Sequence, residues 1–140
     1  MHLLATTSLV SFYLHTSKRH ALEAIWRGIV VESISFREAV LEGVALAQQH
    51  SVQSWVADDR LLGPLRAEDL AWVAASVLPA LAASGISRLA MIQSDDWLNR
   101  ELIQEAYTLP LHALPIELRY FTDLQEARSW ACSLPTRAPH

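Results

Sequence analysis

Hydrophobic and polar residues alternate near the start of the chain, as they do in strands with one buried face. One alternating segment covers residues 8–16 and a second covers residues 20–27, with the polar sequence Ser17–Arg19 between them. Alternation with a period of two places the apolar side chains on one side of each strand. The two segments therefore predict an antiparallel hairpin.

The pattern then changes to helical spacing, interrupted by short apolar runs. The motif Ser35-x-x-Glu38 is a capping box and predicts a helix that ends near Gln49. The apolar run 52–57 predicts a central strand, and a helix follows with Pro79 inside its pattern, where a kink is expected. The remaining predicted elements are a strand over 87–94, a helix from about 95 to 107, a proline-bounded loop over 108–115, a strand over 116–122 and a last helix that begins at Asp123.

The order of these elements predicts an α/β fold. The order is ββαβαβαβα, and strands that alternate with helices pair in parallel through right-handed crossovers. We expect one domain over residues 1–133, with a mixed sheet opened by the antiparallel hairpin and helices packed on it, followed by a frayed tail over residues 134–140.

Composition and charge exclude several classes of function. The chain has 140 residues, of which 51% are hydrophobic, and its net charge is -4. Lys18 is the only lysine, so the basic stripe that a nucleic-acid-binding surface needs is absent from the sequence. No signal peptide and no apolar run long enough to span a membrane are present, and Cys132 is the only cysteine. These features predict a protein of the reducing cytoplasm.

Several motifs in series resemble the STAS domain, the fold of bacterial anti-sigma-factor antagonists. The similarity is greatest to the small stand-alone STAS/SEC14-like proteins common in Bacteroidetes, and it covers roughly residues 1–132. The motifs are W-V-A-D-D-R over 55–60, E-D-L-A-W over 68–72 with Pro79 and Gly85 behind it, and Y-F-T-D-L-Q-E-A-R-S-W over 120–130.

This resemblance implies a non-catalytic regulatory domain that binds a protein partner or a second copy of itself. The loop and helix after the third predicted strand would form the contact surface, with Asp58, Asp59, Arg60 and Trp72 as the contact residues. Antagonists of this family resemble one another in a phosphorylated Ser or Thr in that segment. Residues 58–69 contain neither, so a phosphorylation switch is not expected here.

Two other functions stay open at the level of sequence. The first is a carrier for a small apolar ligand or lipid, with a cavity under the helix that contains Pro79. The second is a Mg²⁺-dependent enzyme in which Asp58 and Asp59 meet a crevice formed by Ser94, Asp95 and Asp96 at the ends of adjacent strands. The simpler interpretation is that Asp95 and Asp96 cap a helix, that Asp58 pairs with Arg60, and that Asp58-Asp59-Arg60 marks a corner between a strand and a helix. No metal and no cofactor are predicted.

Overall fold

The alternating N-terminal segments form the antiparallel part of a six-stranded sheet. In the computed structural model, which describes residues 1–28 and 32–134, the strands pair in chain order. The first three strands pair antiparallel, and strands three to six pair in parallel. The strands are β1 (His2–Thr6), β2 (Val10–His15), β3 (Ala21–Gly28), β4 (Ser54–Leu62), β5 (Arg88–Ile92) and β6 (Glu117–Phe121).

Four helical units connect the parallel strands or follow the last of them. The second unit runs from Ala67 to Ala83 and consists of two α-helical segments joined by a π-helical turn, Val73–Val77. The helices are α1 (Ser33–Gln49), α2 (Ala67–Trp72), α3 (Leu78–Ala83), α4 (Trp97–His112) and α5 (Leu124–Cys132).

The helices cover the two faces of the sheet unequally. Each parallel connection joins two neighbouring strands, and such crossovers are right-handed. The connecting helices α1, α2–α3 and α4 therefore lie on the same face of the sheet, which we call the main face. Among the helices of the described residues, α5 alone covers the opposite face, where Ala127 and Ala131 pack on Val56 and Ala90. On the main face, α1 approaches the sheet so closely that a Cβ atom on Gly43 would lie 2.6 Å from the ring of Trp55.

The mixed α/β sheet and the hairpin are confirmed, but four details of the prediction are wrong. An additional edge strand, β1, precedes the hairpin. The third predicted strand, now β4, continues past Ala57 to Leu62 instead of ending before the aspartates. Helix α1 begins at Ser33 without a capping side chain, and α4 extends through Pro110 to His112 where a loop was predicted.

Other local predictions agree with the structure. The side chains of Asp96 and Asp123 cap α4 and α5, and Gly85 takes a positive φ of 99° just after α3. The regular helix before Pro79 is interrupted by the π-helical turn, close to the expected kink. The predicted tail lies outside the described residues except for Leu134.

Candidate functional site

The cluster Asp58-Asp59-Arg60 lies within β4, and this position separates its side chains. Successive residues of a strand point to opposite faces of the sheet. Asp58 and Arg60 therefore lie on the α5 face, where the Arg60 Nε and Nη2 atoms donate to the two carboxylate oxygens of Asp58 at 2.9 and 2.8 Å. Asp59 lies on the main face, below the helices, and is 5% exposed. The three predicted contact residues therefore do not share one surface.

A cavity of about 70 Å³ lies on the main face between the sheet and the helices. Asp59 and Tyr107 are the only residues of its lining that carry a carboxyl or hydroxyl group, and Val73 and Val77 of the π-helical turn form part of its wall. The rest of the lining consists of Trp26, Phe36, Val40, Trp55, Ala57, Leu62, Leu65, Leu78, Leu81, Leu89, Met91 and Ile103. Since π-helical turns occur frequently at functional sites and apolar cavities with a few polar groups are typical of ligand sites, this cavity is the first candidate site.

Asp59 is electrostatically unusual. Burial, together with the negative charge of Asp58, raises the pKa of the Asp59 carboxyl to about 7. Within residues 1–28 and 32–134, no arginine, lysine or histidine forms an ion pair with it. An ionised carboxylate in apolar surroundings is costly unless a proton or a cation neutralises it. Asp59 thus provides a single acidic group to an otherwise apolar cavity.

A second buried carboxylate lies on the α5 face and was not selected from the sequence. Glu23 of β3 is completely buried, and its carboxylate accepts two hydrogen bonds from Arg128 of α5, at 2.6 and 2.8 Å. The Nε2 atom of His15 lies 3.0 Å from the same carboxylate. Burial alone raises the pKa of Glu23, but the hydrogen bonds and charges of Arg128 and His15 outweigh it and lower the pKa to about 2. A glutamate inside an apolar strand was the available signal, although its partner lies 105 residues away.

The predicted crevice residues organise the loop between β5 and α4. The Ser94 hydroxyl donates to the carbonyl of Leu62 at 2.9 Å, and the backbone N–H of Asp95 donates to the carbonyl of Arg60 at 3.1 Å. Asp96 caps α4 by accepting from the backbone N–H of Asn99. No group of three or more histidine, cysteine or carboxylate side chains that could hold a metal ion occurs in the described part of the chain. The two aspartate pairs therefore do not form the cluster that the magnesium hypothesis requires.

Trp72 lies away from the other predicted contact residues. It is half-buried on the helical side of the sheet, and the guanidinium of Arg37 lies 4.9 Å from the centroid of its ring. Arg37 also donates to the buried carboxylate of Asp69 at 2.9 Å. This arrangement joins α1 to α2 and gives Trp72 a structural role.

Asn99 fixes the loop that closes one end of the cavity. Its side-chain oxygen accepts from the backbone N–H of Leu65 at 3.1 Å, and its amide donates to the carbonyls of Leu62 and Gly63 at 3.2 and 2.9 Å. Leu62 and Leu65 both line the cavity.

Replacing Asn99 with alanine is expected to lower the free energy of unfolding by about 1–3 kcal/mol, because buried backbone groups lose their partners. Urea denaturation monitored by circular dichroism measures this loss. Glu105→Ala, at an exposed position of the same helix, is the control and should change stability by less than about 0.5 kcal/mol. Equal stability of Asn99→Ala and the unmodified protein would show that the loop does not depend on this side chain.

Comparison with known proteins gives no further information about this site. In comparisons with known proteins, no family model, no curated protein and no solved structure matches the chain. The STAS resemblance therefore stays a prediction that rests on sequence motifs. Of the helices in the described ranges, none combines the length and apolar character needed to cross a membrane.

Proposed function

We propose that this chain is a non-catalytic binding domain that takes a small, mainly apolar molecule into the cavity on the main face. The observation that supports this proposal is the cavity itself, about 70 Å³ in volume, with an apolar lining and one buried acid. Core packing normally leaves few voids larger than a water molecule, so a cavity of this size provides space for a small ligand.

The position of the cavity also supports the proposal. It lies under the helical unit that contains Pro79, where the carrier hypothesis expected it, and the π-helical turn contributes Val73 and Val77 to its wall. A π-helical turn adds one residue to a helical turn and weakens the hydrogen-bond ladder, which gives this wall more freedom to adjust than a regular helix has. The volume fits a small molecule and is far below the 300 Å³ or more of typical drug-sized sites.

Binding of a protein partner, the function implied by the STAS resemblance, has less geometric support. Of its four contact residues, Asp58 and Asp59 are buried, while Arg60 and Trp72 lie on opposite sides of the sheet. Only Arg60, with a side chain that is 44% exposed, is available at the end of β4. A partner surface around Arg60 stays a prediction, and we favour the cavity as the functional site.

Two measurements on the purified protein test the cavity proposal. Native mass spectrometry should show an additional mass that is lost on denaturation if a ligand copurifies. Xenon, which enters apolar cavities, should shift the NMR signals of methyl groups that line the cavity, such as those of Val77 and Met91. A single apo mass together with no xenon-dependent shift would contradict the proposal.

A cavity-filling variant provides the matched control. Val77→Phe places a ring in the cavity and should abolish the xenon-dependent shifts in a folded protein. Ala75→Phe, on the exposed side of the same π-helical turn, should leave them unchanged. If Val77→Phe does not fold, Val77→Leu fills less of the cavity and should reduce the shifts. Unchanged shifts in both Val77 variants would place the xenon site elsewhere.

A further inference from the structure

Aromatic side chains line the same cavity as Asp59. Trp26, Phe36, Trp55 and Tyr107 all contribute to its wall, and the rings of Trp26 and Phe36 lie 5.4 Å apart between centroids. The face of an aromatic ring carries negative electrostatic potential and attracts cations, and groups of aromatic rings bind alkylated ammonium groups. Four aromatic residues and one carboxylate, groups that can attract a cation, thus line the same cavity.

We propose that the ligand of this cavity is a small organic cation, an alkylammonium whose charged group lies beside Asp59 and whose carbon atoms contact the aromatic rings. This inference rests on the proposed function, since it requires that the cavity binds a ligand. It adds the chemical class of that ligand. The balance of charge around Asp59 and the volume of the cavity support it.

Within the described residues, no cationic side chain forms an ion pair with Asp59, so a proton or a bound cation has to neutralise its charge. On its own strand Asp59 lies between Asp58, whose charge disfavours its ionised form, and Arg60, which pairs with Asp58 on the opposite face. From α4, Tyr107 faces it across the main cavity, and Arg100 borders a small adjoining cavity of about 10 Å³. Tyr120 of β6 also borders that second cavity. Across the described residues, none of these groups forms an ion pair or hydrogen bond with the Asp59 carboxylate.

The volume limits the size of the cation. A cavity of about 70 Å³ is roughly half the volume of an apolar cavity that holds benzene, and it therefore accommodates on the order of three non-hydrogen atoms. The ethylammonium ion has this size, and ethanol has the same shape with a hydroxyl group in place of the ammonium group. The pair therefore separates recognition of charge from recognition of an apolar body.

Titration of both compounds, followed by NMR at pH 8, tests the inference. We expect ethylammonium to bind about tenfold more tightly than ethanol, which corresponds to the contribution of one desolvated cation contact. The Asp59→Asn variant should lose this preference and bind both compounds equally. Asp95→Asn, an exposed aspartate beyond the end of β5, should keep it. The affinity of the unmodified protein for the cation should fall as the pH decreases from 8 to 6, because protonation of Asp59 removes the charge that attracts it.

The outcomes separate failure of this inference from failure of the proposed function. If ethanol binds as tightly as ethylammonium, the cavity is a ligand site but the inference about the cation is wrong. The inference is also wrong if xenon enters and neither compound binds. If neither compound binds and xenon does not enter, both proposals fail. An unchanged preference in Asp59→Asn would place the cation site away from Asp59.

Discussion

Replacing Glu23 with glutamine should lower the free energy of unfolding at pH 7 by about 3–5 kcal/mol. Glu23 is completely buried, and its partner Arg128 has a side chain that is only 24% exposed. Removing one member of a buried ion pair leaves the other charge without compensation, which costs more than the pair itself contributes. Because Arg128 belongs to α5 and no other helix in the described part of the chain covers that face of the sheet, the loss should also loosen α5. Urea denaturation at pH 7 measures the change.

An exposed ion pair provides the control for Glu23. Glu117 and Arg119 on β6 also form a pair, at 2.9 Å, but both side chains are 54% exposed. The Glu117→Gln change should cost less than about 1 kcal/mol, since water screens such pairs. A similar small cost for Glu23→Gln would contradict the interpretation that the Glu23–Arg128 pair anchors α5.

The contribution of Glu23 should also depend on pH. The pKa of Glu23 is about 2 in the folded protein, below the value near 4.3 of a glutamate in an unfolded chain. The folded state therefore binds fewer protons between these values, and stability falls as the pH decreases from about 5 to 2. In Glu23→Gln this part of the acid dependence should be absent. The two proteins should approach each other in stability near pH 2.

Asp59→Asn should have the opposite effect and stabilise the protein above pH 7. The pKa of Asp59 is about 7 in the folded protein and near 3.9 in an unfolded chain. Between these values the unfolded state releases a proton that the folded state keeps, so the stability of the unmodified protein falls as the pH rises from about 4 to 7. The variant lacks this loss, and at pH 8 it should be more stable by about 2–4 kcal/mol.

Thermal or urea denaturation at several pH values between 4 and 8 measures this difference. Asp95→Asn again serves as the control, because Asp95 is exposed and its change should produce no comparable trend. If the difference in stability between Asp59→Asn and the unmodified protein does not grow with pH, a cationic side chain or solvent water already stabilises the ionised carboxylate of Asp59. Either result would remove the electrostatic basis for cation binding in the cavity.

The sequence pattern determined most of the secondary structure. Alternation predicted the β2–β3 hairpin, and the apolar runs predicted β4 and β5. Both patterns are informative because the burial of one or both faces of a strand determines which of its positions are apolar. The caps at Asp96 and Asp123 were also predictable, since a cap depends on neighbours within three residues. Element boundaries were less predictable: β4 continues through two aspartates, of which Asp58 pairs with Arg60 on the same strand and Asp59 lies in the cavity under the helices.

The candidate site depended on tertiary structure. The pair Asp58-Asp59 is conspicuous in the sequence, and the pairing of Asp58 with Arg60 could be predicted from it, yet only the continuation of β4 shows that Asp59 lies in the cavity. The partners of Glu23 and the aromatic wall around Asp59 come from segments far apart in the chain. Residue order specifies local hydrogen bonding and the periodicity of burial. The distant side chains that enclose a cavity meet only when strands and helices pack, because strand register and crossover geometry determine which residues become neighbours.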